Sequence, residues 1–431
     1  MQSVLLRSGP EFTEYSTGSE AAVASAMHPN HDLTPAGWPR RFEIRAVGDQ
    51  LHLRDWLVPP LRVVAQAGFR GLKDRALERA YLQHGLLPAA TGAVGEGVRD
   101  RPRDASDGLF WQFPCRTEGA AWDLHVELSG PLAAGPEMHM YLGLPWASWI
   151  DKDRKQAWHP DGASERERQL RFVRLRLDGW RRLLARVGCS LRLHTVCQHI
   201  DWRDLLSTWH SLGVTDLWLS HCPLHRPAGG GGPQLRPWRL FAVNVEDPAR
   251  RDGLQVGVDP AVKPLLASFV GAHAPHYLSD IRLRLQSLAH EPGFVIRLTP
   301  GWHFERQVYA EQVQGVWAGP APVADPAVRD YNRLLTDARF ALCPSGAGPN
   351  TLRLWEALAA GCVPVLLGEM PVLPEGGSLA PIDWDSIVLR VRDEELASLP
   401  RRLREMPVEE VRRRAQAGMA AFAQVRAQTC F

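Results

Sequence analysis

Apolar runs of strand length alternate with stretches of helical periodicity from about residue 137 onward. The first series has strand patterns at HMYLGLPW, LRLHTVCQHI and TDLWLSH, and the second at PLLASFVGA, GFVIRLT, RFALCPSG and VPVLLG. Such alternation is typical of parallel sheets covered by helices. It predicts an α/β fold of two Rossmann-like domains, joined near residues 246–263, with a ligand cleft between them.

The first third of the chain gives weaker signals. Residues 1–40 show neither helical nor strand periodicity, which predicts a flexible leader. Polar and apolar residues alternate over 42–56 in the pattern of a hairpin, 61–83 has a helical period, and 122–128 alternates like a strand. We therefore predict an additional N-terminal α+β region over 41–135, of unknown role.

Composition narrows the possible partners. Hydrophobic residues make up 45% and charged residues 23% of the chain, which are the values of an ordinary globular protein. A net charge of +2 is too small for a chain whose main task is to neutralise nucleic acid. The 7 cysteines contain no CxxC pair, so we expect reduced thiols rather than a disulfide framework.

No segment predicts export or a membrane span. The N-terminus lacks the continuous apolar stretch of a secretory signal. The longest uncharged apolar run, 357–368, is broken by Gly361 and Pro364 and is shorter than the roughly 20 residues that a spanning helix needs. We expect a cytoplasmic protein, at most peripherally associated with the inner face of a membrane.

The clearest candidate chemistry follows the strand that ends near Cys343. A glycine-containing loop leads from this strand into a helix, so backbone N–H groups and the helix dipole can hold a diphosphate. Asn350 or Thr351 can cap that helix. The candidate donor-binding residues of the loop and cap are Ser345, Gly346, Gly348, Asn350 and Thr351.

Helical spacing then places Arg353 and Glu356 on one stripe that ends in small alanines. Arg353 can meet a phosphate, Glu356 can accept hydrogen bonds from two ribose hydroxyls, and the alanines leave room for a nucleotide. The alternative is an amphipathic helix with an ordinary surface Arg353–Glu356 pair. The pattern alone favours neither.

The amino-acid sequence from Cys343 to Trp384 resembles the C-terminal signature of the exostosin-like glycosyltransferases. The matching elements are Cys343-Pro344-Ser345-Gly346, Arg353 to Ala357, Gly361-Cys362-Val363-Pro364-Val365, Leu373-Pro374 and Asp383-Trp384. The resemblance is strong over 265–400, weaker over 137–245, where the chain looks like bacterial polysaccharide members, and absent over 1–130.

The resemblance implies a GT-B fold and an inverting transfer from a UDP- or GDP-sugar to a glycan or lipid-linked glycan, in bacterial surface polysaccharide synthesis. It implies an acceptor-side domain over 136–250 and a nucleotide-sugar-binding domain over 262–400, followed by C-terminal helices over 401–431. No cofactor is expected. Two alternatives stay open: a fucosyltransferase-like enzyme using a GDP-sugar, and a non-catalytic nucleotide-binding subunit.

Other candidates lie in loops that follow strands. Arg297 closes GFVIR and could balance the leaving diphosphate, or it is an exposed loop arginine. Trp302, His303 and Glu305 follow it and could line the sugar pocket or pack on the domain.

The acceptor base is expected in the first domain, at Asp151, His199 or Asp201. A buried structural histidine and a helix cap at Asp201 are the alternatives. Asp151-Lys152-Asp153 spells DxD, and His221, Cys222 and His225 spell HCxxH, but neither pattern is strong enough to predict a metal.

Overall fold

The computed structural model describes the backbone of segments 4–7, 43–46, 50–55, 58–64 and 71–74, together with residues 111–126, 137–157, 162–186, 190–224, 232–314, 326–376 and 381–430. These residues form two sheets covered by helices. The α/β two-domain fold predicted from the alternating pattern is therefore confirmed.

The first sheet contains nine strands. They are β1 (Val4–Arg7), β2 (Glu43–Ala46), β3 (Gln50–Asp55), β4 (Val58–Val64), β5 (Gly71–Asp74), β6 (Glu137–Tyr141), β7 (Ser190–Cys197), β8 (Asp216–Leu219) and β9 (Gln234–Pro237). Their order is β2-β1-β3-β4-β5-β6-β7-β8-β9, and β5 to β9 pair in parallel. The strands of the N-terminal third thus extend the sheet of the first domain.

Several predictions for the N-terminal third are wrong. Strand β1 falls inside the supposed leader and lies between β2 and β3, so residues 42–56 do not form a hairpin. The segment predicted to be helical, 61–83, contains the end of β4 and the whole of β5. The predicted strand over 122–128 overlaps a helix, α1 (Thr117–Val126). Local periodicity could not reveal these pairings because they join segments far apart in the chain.

Three more helices cover the first sheet, α2 (Trp146–Arg154), α3 (Gly162–Arg186) and α4 (Leu206–Leu212), with a 3₁₀ turn at Trp202–Leu205. Their apolar faces meet the sheet in a buried cluster that includes Trp146, Trp180 and Trp209. Large aromatic rings therefore supply much of this core, and the ends of β6 and β7 are held rigidly beside α2.

The second sheet contains β10 (Leu265–Ala272), β11 (Phe294–Thr299), β12 (Ala338–Pro344), β13 (Val363–Leu367) and β14 (Leu389–Val391). All neighbours pair in parallel, in the order β11-β10-β12-β13-β14. The order reverses between β10 and β12. Ligands of open α/β sheets bind at the carboxyl ends of the strands at such a switch point, so the fold places the ligand crevice at the loops after β10 and β12.

Helices cover both faces of the second sheet. They are α5 (Val243–Glu246), α6 (Ile281–Arg284), α7 (Pro326–Asp337), α8 (Leu352–Ala360), α9 (Leu399–Glu405) and α10 (Val408–Arg426), with a π-helical segment at Arg306–Val313 and 3₁₀ turns at Pro248–Arg250, Pro260–Val262, Leu285–Leu288, Trp384–Ser386 and Asp393–Ser398. The chain then returns to the first sheet, where Cys430 joins a cluster with Val196 and Trp218. The Cys430 N–H donates to His125 Nε2 at 3.0 Å.

Among the residues that the structure describes, no helix combines the length and apolar character needed to cross a bilayer.

Candidate functional site

Two buried arginines stand at the switch point of the second sheet. Arg282 donates from Nη1 to Ala272 O at 2.7 Å and from Nε to Ser345 O at 2.8 Å, which are backbone oxygens at the ends of β10 and β12. Arg353 donates to Val270 O, and both guanidinium groups lie over the Phe269 ring.

These two cations have no carboxylate partner in the described part of the chain. Burial, together with the positive charge of Arg353, lowers the pKa of Arg282 to about 10. Arg282 therefore stays charged at neutral pH. An uncompensated pair of buried cations is costly, and a bound dianion would offset that cost. Sequence reasoning missed Arg282, which stands in a short helix without a recognisable motif.

The glycines of the loop after β12 are required by side chains that close on it. A Cβ on Gly346 would lie 2.8 Å from Arg282 Nη2, and a Cβ on Gly348 would lie 2.2 Å from His221 Nδ1. Ser345 is buried, and its hydroxyl accepts from the Glu369 N–H at 3.2 Å. The absence of side chains at Gly346 and Gly348 therefore lets the loop backbone pack against Arg282 and His221.

Asn350 joins the two halves of the molecule. Its Nδ2 donates to Ser220 O at 2.7 Å, beyond β8 of the first sheet. Its Oδ1 accepts from the Thr351 N–H and from Trp355 Nε1, both at 2.9 Å. Thr351 occupies the N-cap position of α8 but makes no side-chain capping bond. Asn350 thus connects the loop before α8 to the first half, a role that the sequence pattern did not show.

Glu356 is buried rather than paired at the surface, so the alternative of an ordinary surface pair with Arg353 is wrong. Its Oε1 accepts the Asn244 N–H at 3.0 Å, and its Oε2 accepts the Tyr331 hydroxyl proton at 2.6 Å. Burial and the charge of Glu356 raise the pKa of Tyr331 well above its usual value. Tyr331 therefore remains a donor.

Arg297 lies on the strand beside β10. It is exposed on β11, the edge strand, opposite Val270 in the register. The turn after β11 carries the other predicted pocket residues. Trp302 is half-buried against Phe304 and Tyr309, whereas His303 and Glu305 are exposed.

The three predicted base candidates meet in one cluster on the first half. Asp151 lies on α2, and His199 and Asp201 follow β7. The Asp201 N–H donates to His199 Nδ1 at 3.0 Å, so Nε2 carries the proton of the neutral ring and donates to Asp151 Oδ1 at 3.2 Å. Asp201 is not a capping side chain: its carboxylate pairs with Arg154 at 3.1 Å.

Polar side chains that belong to no recognised sequence motif hold this cluster in place. Gln112 donates to Asp151 Oδ2, and Gln198 Nε2 donates to Gln112 Oε1 at 3.0 Å. Glu118 accepts the Gln198 N–H at 3.0 Å and the Ala147 N–H at 3.2 Å. It thereby links the end of β7 to the first turn of α2. Burial raises the pKa of Glu118 to about 8.

The DxD pattern from the sequence is not assembled into a metal site. The DxD triplet lies in α2, where Asp151 is buried and Asp153 is exposed. His225 of the HCxxH pattern lies outside the described residues. Across the ranges that are described, no three His, Cys, Asp or Glu side chains are grouped so that they could hold a metal ion.

Side chains of the second half reach the base cluster. The Gln312 amide, on the π-helical segment, accepts the Phe113 N–H at 2.8 Å and donates to Phe113 O. Burial, with a further contribution from the negative charge of Asp151, raises the pKa of Tyr309. His221 contacts Gly348 on one side and lies near the His199 imidazole on the other. His221 thus lies between the loop after β12 and the base cluster.

Comparison with known proteins places a family domain on the second half. Residues 243–406 match the model of the Exostosin GT47 domain. A probable glycosyltransferase of Arabidopsis thaliana is 38% identical over 80 residues, which are 19% of this chain and 16% of that protein. Exostosin-1 of Drosophila melanogaster is 37% identical over 82 residues, 19% of this chain and 10% of that protein. The chain therefore matches less than a fifth of the length of these relatives.

Among solved structures, an α,α-trehalose 6-phosphate synthase from Burkholderia multivorans aligns with 71% of this chain and 70% of its own, at 12% identity and a TM-score of 0.32. The predicted resemblance to exostosin domains is confirmed for the second half. These two sequence relatives are eukaryotic, and membership of a bacterial subgroup stays a prediction.

Proposed function

We propose that this chain is an inverting glycosyltransferase that moves a sugar from a UDP- or GDP-sugar to a glycan or lipid-linked glycan. The observation that carries the proposal is the pair of buried cations at the switch point, Arg282 and Arg353, within one site with a carboxylate–histidine pair. The match to the Exostosin GT47 domain supports the reaction class. Two α/β halves suit the GT-B architecture implied by the sequence.

The donor's diphosphate is assigned to the two arginines, the loop of Gly346 and Gly348, and the N-terminus of α8. The arginines supply positive charge and the N-terminus of α8 supplies N–H groups, whereas the Gly346 N–H donates within the loop to Gly348 O at 3.0 Å. Glu356 still has free lone pairs for ribose hydroxyls, because a carboxylate offers about four acceptor positions and two are used. Ser345, Asn350 and Thr351 support the loop rather than the ligand. Arg297 is assigned no contact.

Asp151 is the best candidate for the acceptor base. His199 has no lone pair to offer, since its Nδ1 accepts from backbone and its Nε2 donates to Asp151. Asp201 is engaged by Arg154. Asp151 keeps unused lone pairs and is oriented by His199 and Gln112, so it can accept a proton from an acceptor hydroxyl.

The reaction then balances as a single displacement. Asp151 takes the proton as the acceptor oxygen forms a bond to the anomeric carbon of the donor sugar. The bond from that carbon to the diphosphate oxygen breaks, and its electron pair stays on the nucleoside diphosphate. Attack from the face opposite the leaving group inverts the anomeric configuration. Positive charge fixed around the departing diphosphate lowers the barrier, and we propose that no metal is required.

The acceptor side of the proposal comes from the sequence. A role in bacterial surface polysaccharide synthesis, in the cytoplasm or at the inner face of a membrane, stays a prediction.

The test measures nucleotide binding and transfer together. Arg353→Met should weaken binding of UDP or GDP by about 10- to 150-fold, since one hydrogen bond to a charged group is worth about 1.5 to 3 kcal/mol. Arg284→Met is the matched control, because it also removes a positive charge but breaks only an exposed pair with Asp393 at 2.9 Å. Calorimetry gives the affinities, and NMR of the product gives the anomeric configuration.

Equal affinities for parent and Arg353→Met, in folded protein, would contradict the donor site. Tight nucleotide binding with neither donor hydrolysis nor transfer, over a panel of UDP- and GDP-sugars, would instead favour the non-catalytic alternative. A product of retained configuration would exclude the displacement written above.

A further inference from the structure

His221 stands where the two halves meet, immediately after β8. Its ring is partly buried, and Nδ1 is shielded from solvent without a hydrogen-bond partner among the residues that the structure describes. A buried polar atom without a partner costs about 1 to 3 kcal/mol, so most such atoms are satisfied. The unpartnered Nδ1 of His221 therefore points to a ligand or a function at this position.

The surroundings of Nδ1 identify the kind of partner that is missing. The nearest backbone is Gly348, where a Cβ would lie 2.2 Å from Nδ1 and 2.6 Å from Cε1 of the ring. Gly348 belongs to the loop between β12 and α8, to which the diphosphate is assigned. The imidazole therefore lies over the anion cradle, and the glycine is needed because this ring occupies the space of a side chain.

The ring is neutral in this position. Burial, with the neighbouring His199 imidazole as a second cause, lowers the pKa of His221 to about 3. A neutral imidazole carries one N–H. If that proton is on Nδ1, this atom, which has no acceptor among the described residues, is a hydrogen-bond donor beside a site built for an anion.

We infer that His221 is a donor-binding residue whose Nδ1–H hydrogen-bonds an oxygen of the nucleotide's diphosphate. The inference rests on the proposed function. It adds a contact from the first half to a ligand otherwise held by the second half. His221 would thus contribute a contact from the half that carries Asp151 and His199, and the donor would supply the acceptor that Nδ1 lacks among the described residues.

The two ring nitrogens can be told apart by substitution. His221→Asn places an amide N–H near the position of Nδ1, whereas His221→Gln places one near Nε2. We expect His221→Asn to bind UDP or GDP within about threefold of the parent. His221→Gln and His221→Ala should each lose about 10-fold or more, the value of one hydrogen bond to a charged group.

The ligand series locates the contact. Calorimetry with the nucleoside, the nucleoside monophosphate and the nucleoside diphosphate should show no effect of His221→Gln on the nucleoside and the full loss with the diphosphate. A merely structural role would instead lower all three affinities alike and would lower the melting temperature. Unchanged diphosphate affinity in all three variants would overturn the inference.

Gly348→Ala supplies a second, independent measurement. The added methyl group must displace the His221 ring, so diphosphate affinity should fall in the parent background and fall less in His221→Ala. Some loss remains there because Ile200 Cγ2 also lies 2.8 Å from the added atom. An identical penalty in both backgrounds would contradict the contact. Failure of the parent to bind any nucleoside diphosphate would refute the proposed function itself, which is a separate result.

Discussion

Glu356 allows donor binding to be separated from folding. Its two oxygens accept from the Asn244 N–H and from the Tyr331 hydroxyl. Tyr331→Phe removes one of these bonds and leaves the carboxylate intact. Glu356→Gln keeps an amide oxygen for Asn244 but loses the negative charge and half of the acceptor positions that ribose hydroxyls would use.

The expected magnitudes follow from these contacts. Each variant weakens one buried hydrogen bond to a charged group, so each should lower the free energy of unfolding by about 1.5 to 3 kcal/mol. Only Glu356→Gln removes a group assigned to the ligand. It should therefore also raise the Kd of the nucleoside diphosphate by about 10- to 150-fold, while Tyr331→Phe stays near the parent value.

The assay is calorimetric titration with UDP and GDP beside urea unfolding of the same samples. Similar losses of stability in the two variants, with a loss of nucleotide affinity only in Glu356→Gln, would support ribose binding by Glu356. Equal affinities in both variants, whether both reduced or both unchanged, would refute the reasoning, because the carboxylate would then act only through the fold.

Two further predictions concern the first half. Asp151→Asn should lower turnover by at least about 10²-fold while nucleotide affinity is kept, and near-normal turnover would contradict the assignment of the base. Transfer by the parent should survive EDTA. Activity that is lost with EDTA and restored only by Mn²⁺ or Mg²⁺ would contradict a metal-free reaction. Glu118 has a pKa of about 8 in the fold and 4.5 as a reference, so the folded protein holds an extra proton between these values and loses about 1.4 kcal/mol of stability per pH unit as pH rises. Glu118→Gln should abolish that decline in urea midpoints; an unchanged slope would show that Glu118 ionises normally.

The second half was predictable because its signals are local. In the segment from Cys343 to Gly361, a short apolar run, a glycine loop and a helix with a terminal glycine follow each other without a long-range partner. The structure has β12, the loop and α8 in those places, and Gly361 ends α8 at φ 81. The N-terminal third lacked this advantage. In 122–128, Trp122, Leu124 and Val126 mimic strand alternation, and only packing against β7 decides for a helix.

The site was predictable only in part, for a related reason. Asp151, His199 and Asp201 follow predicted strands or lie in a charged segment, so each was a candidate, and the fold brings them together. What each one does depends on partners that carry no motif. Gln112 and Glu118 come from a segment without interpretable spacing, and the tautomer of His199 is fixed by one backbone N–H. Burial of Glu356 likewise depends on Tyr331, 25 residues away.

Contacts between the halves bear on how substrate enters. Two domains joined by a short connection, as predicted near 246–263, can close on a ligand by a hinge motion. In the structure the halves already touch, through Asn350 with Ser220 and Gln312 with Phe113. Each such bond contributes roughly 1 kcal/mol and costs more when a buried group is left without a partner. Against this, within the described residues Nδ1 of His221 has no acceptor and Arg282 and Arg353 have no carboxylate partner, which disfavours closure in the absence of a donor. Donor binding relieves those costs without breaking the bonds between the halves, so the donor should select the closed arrangement.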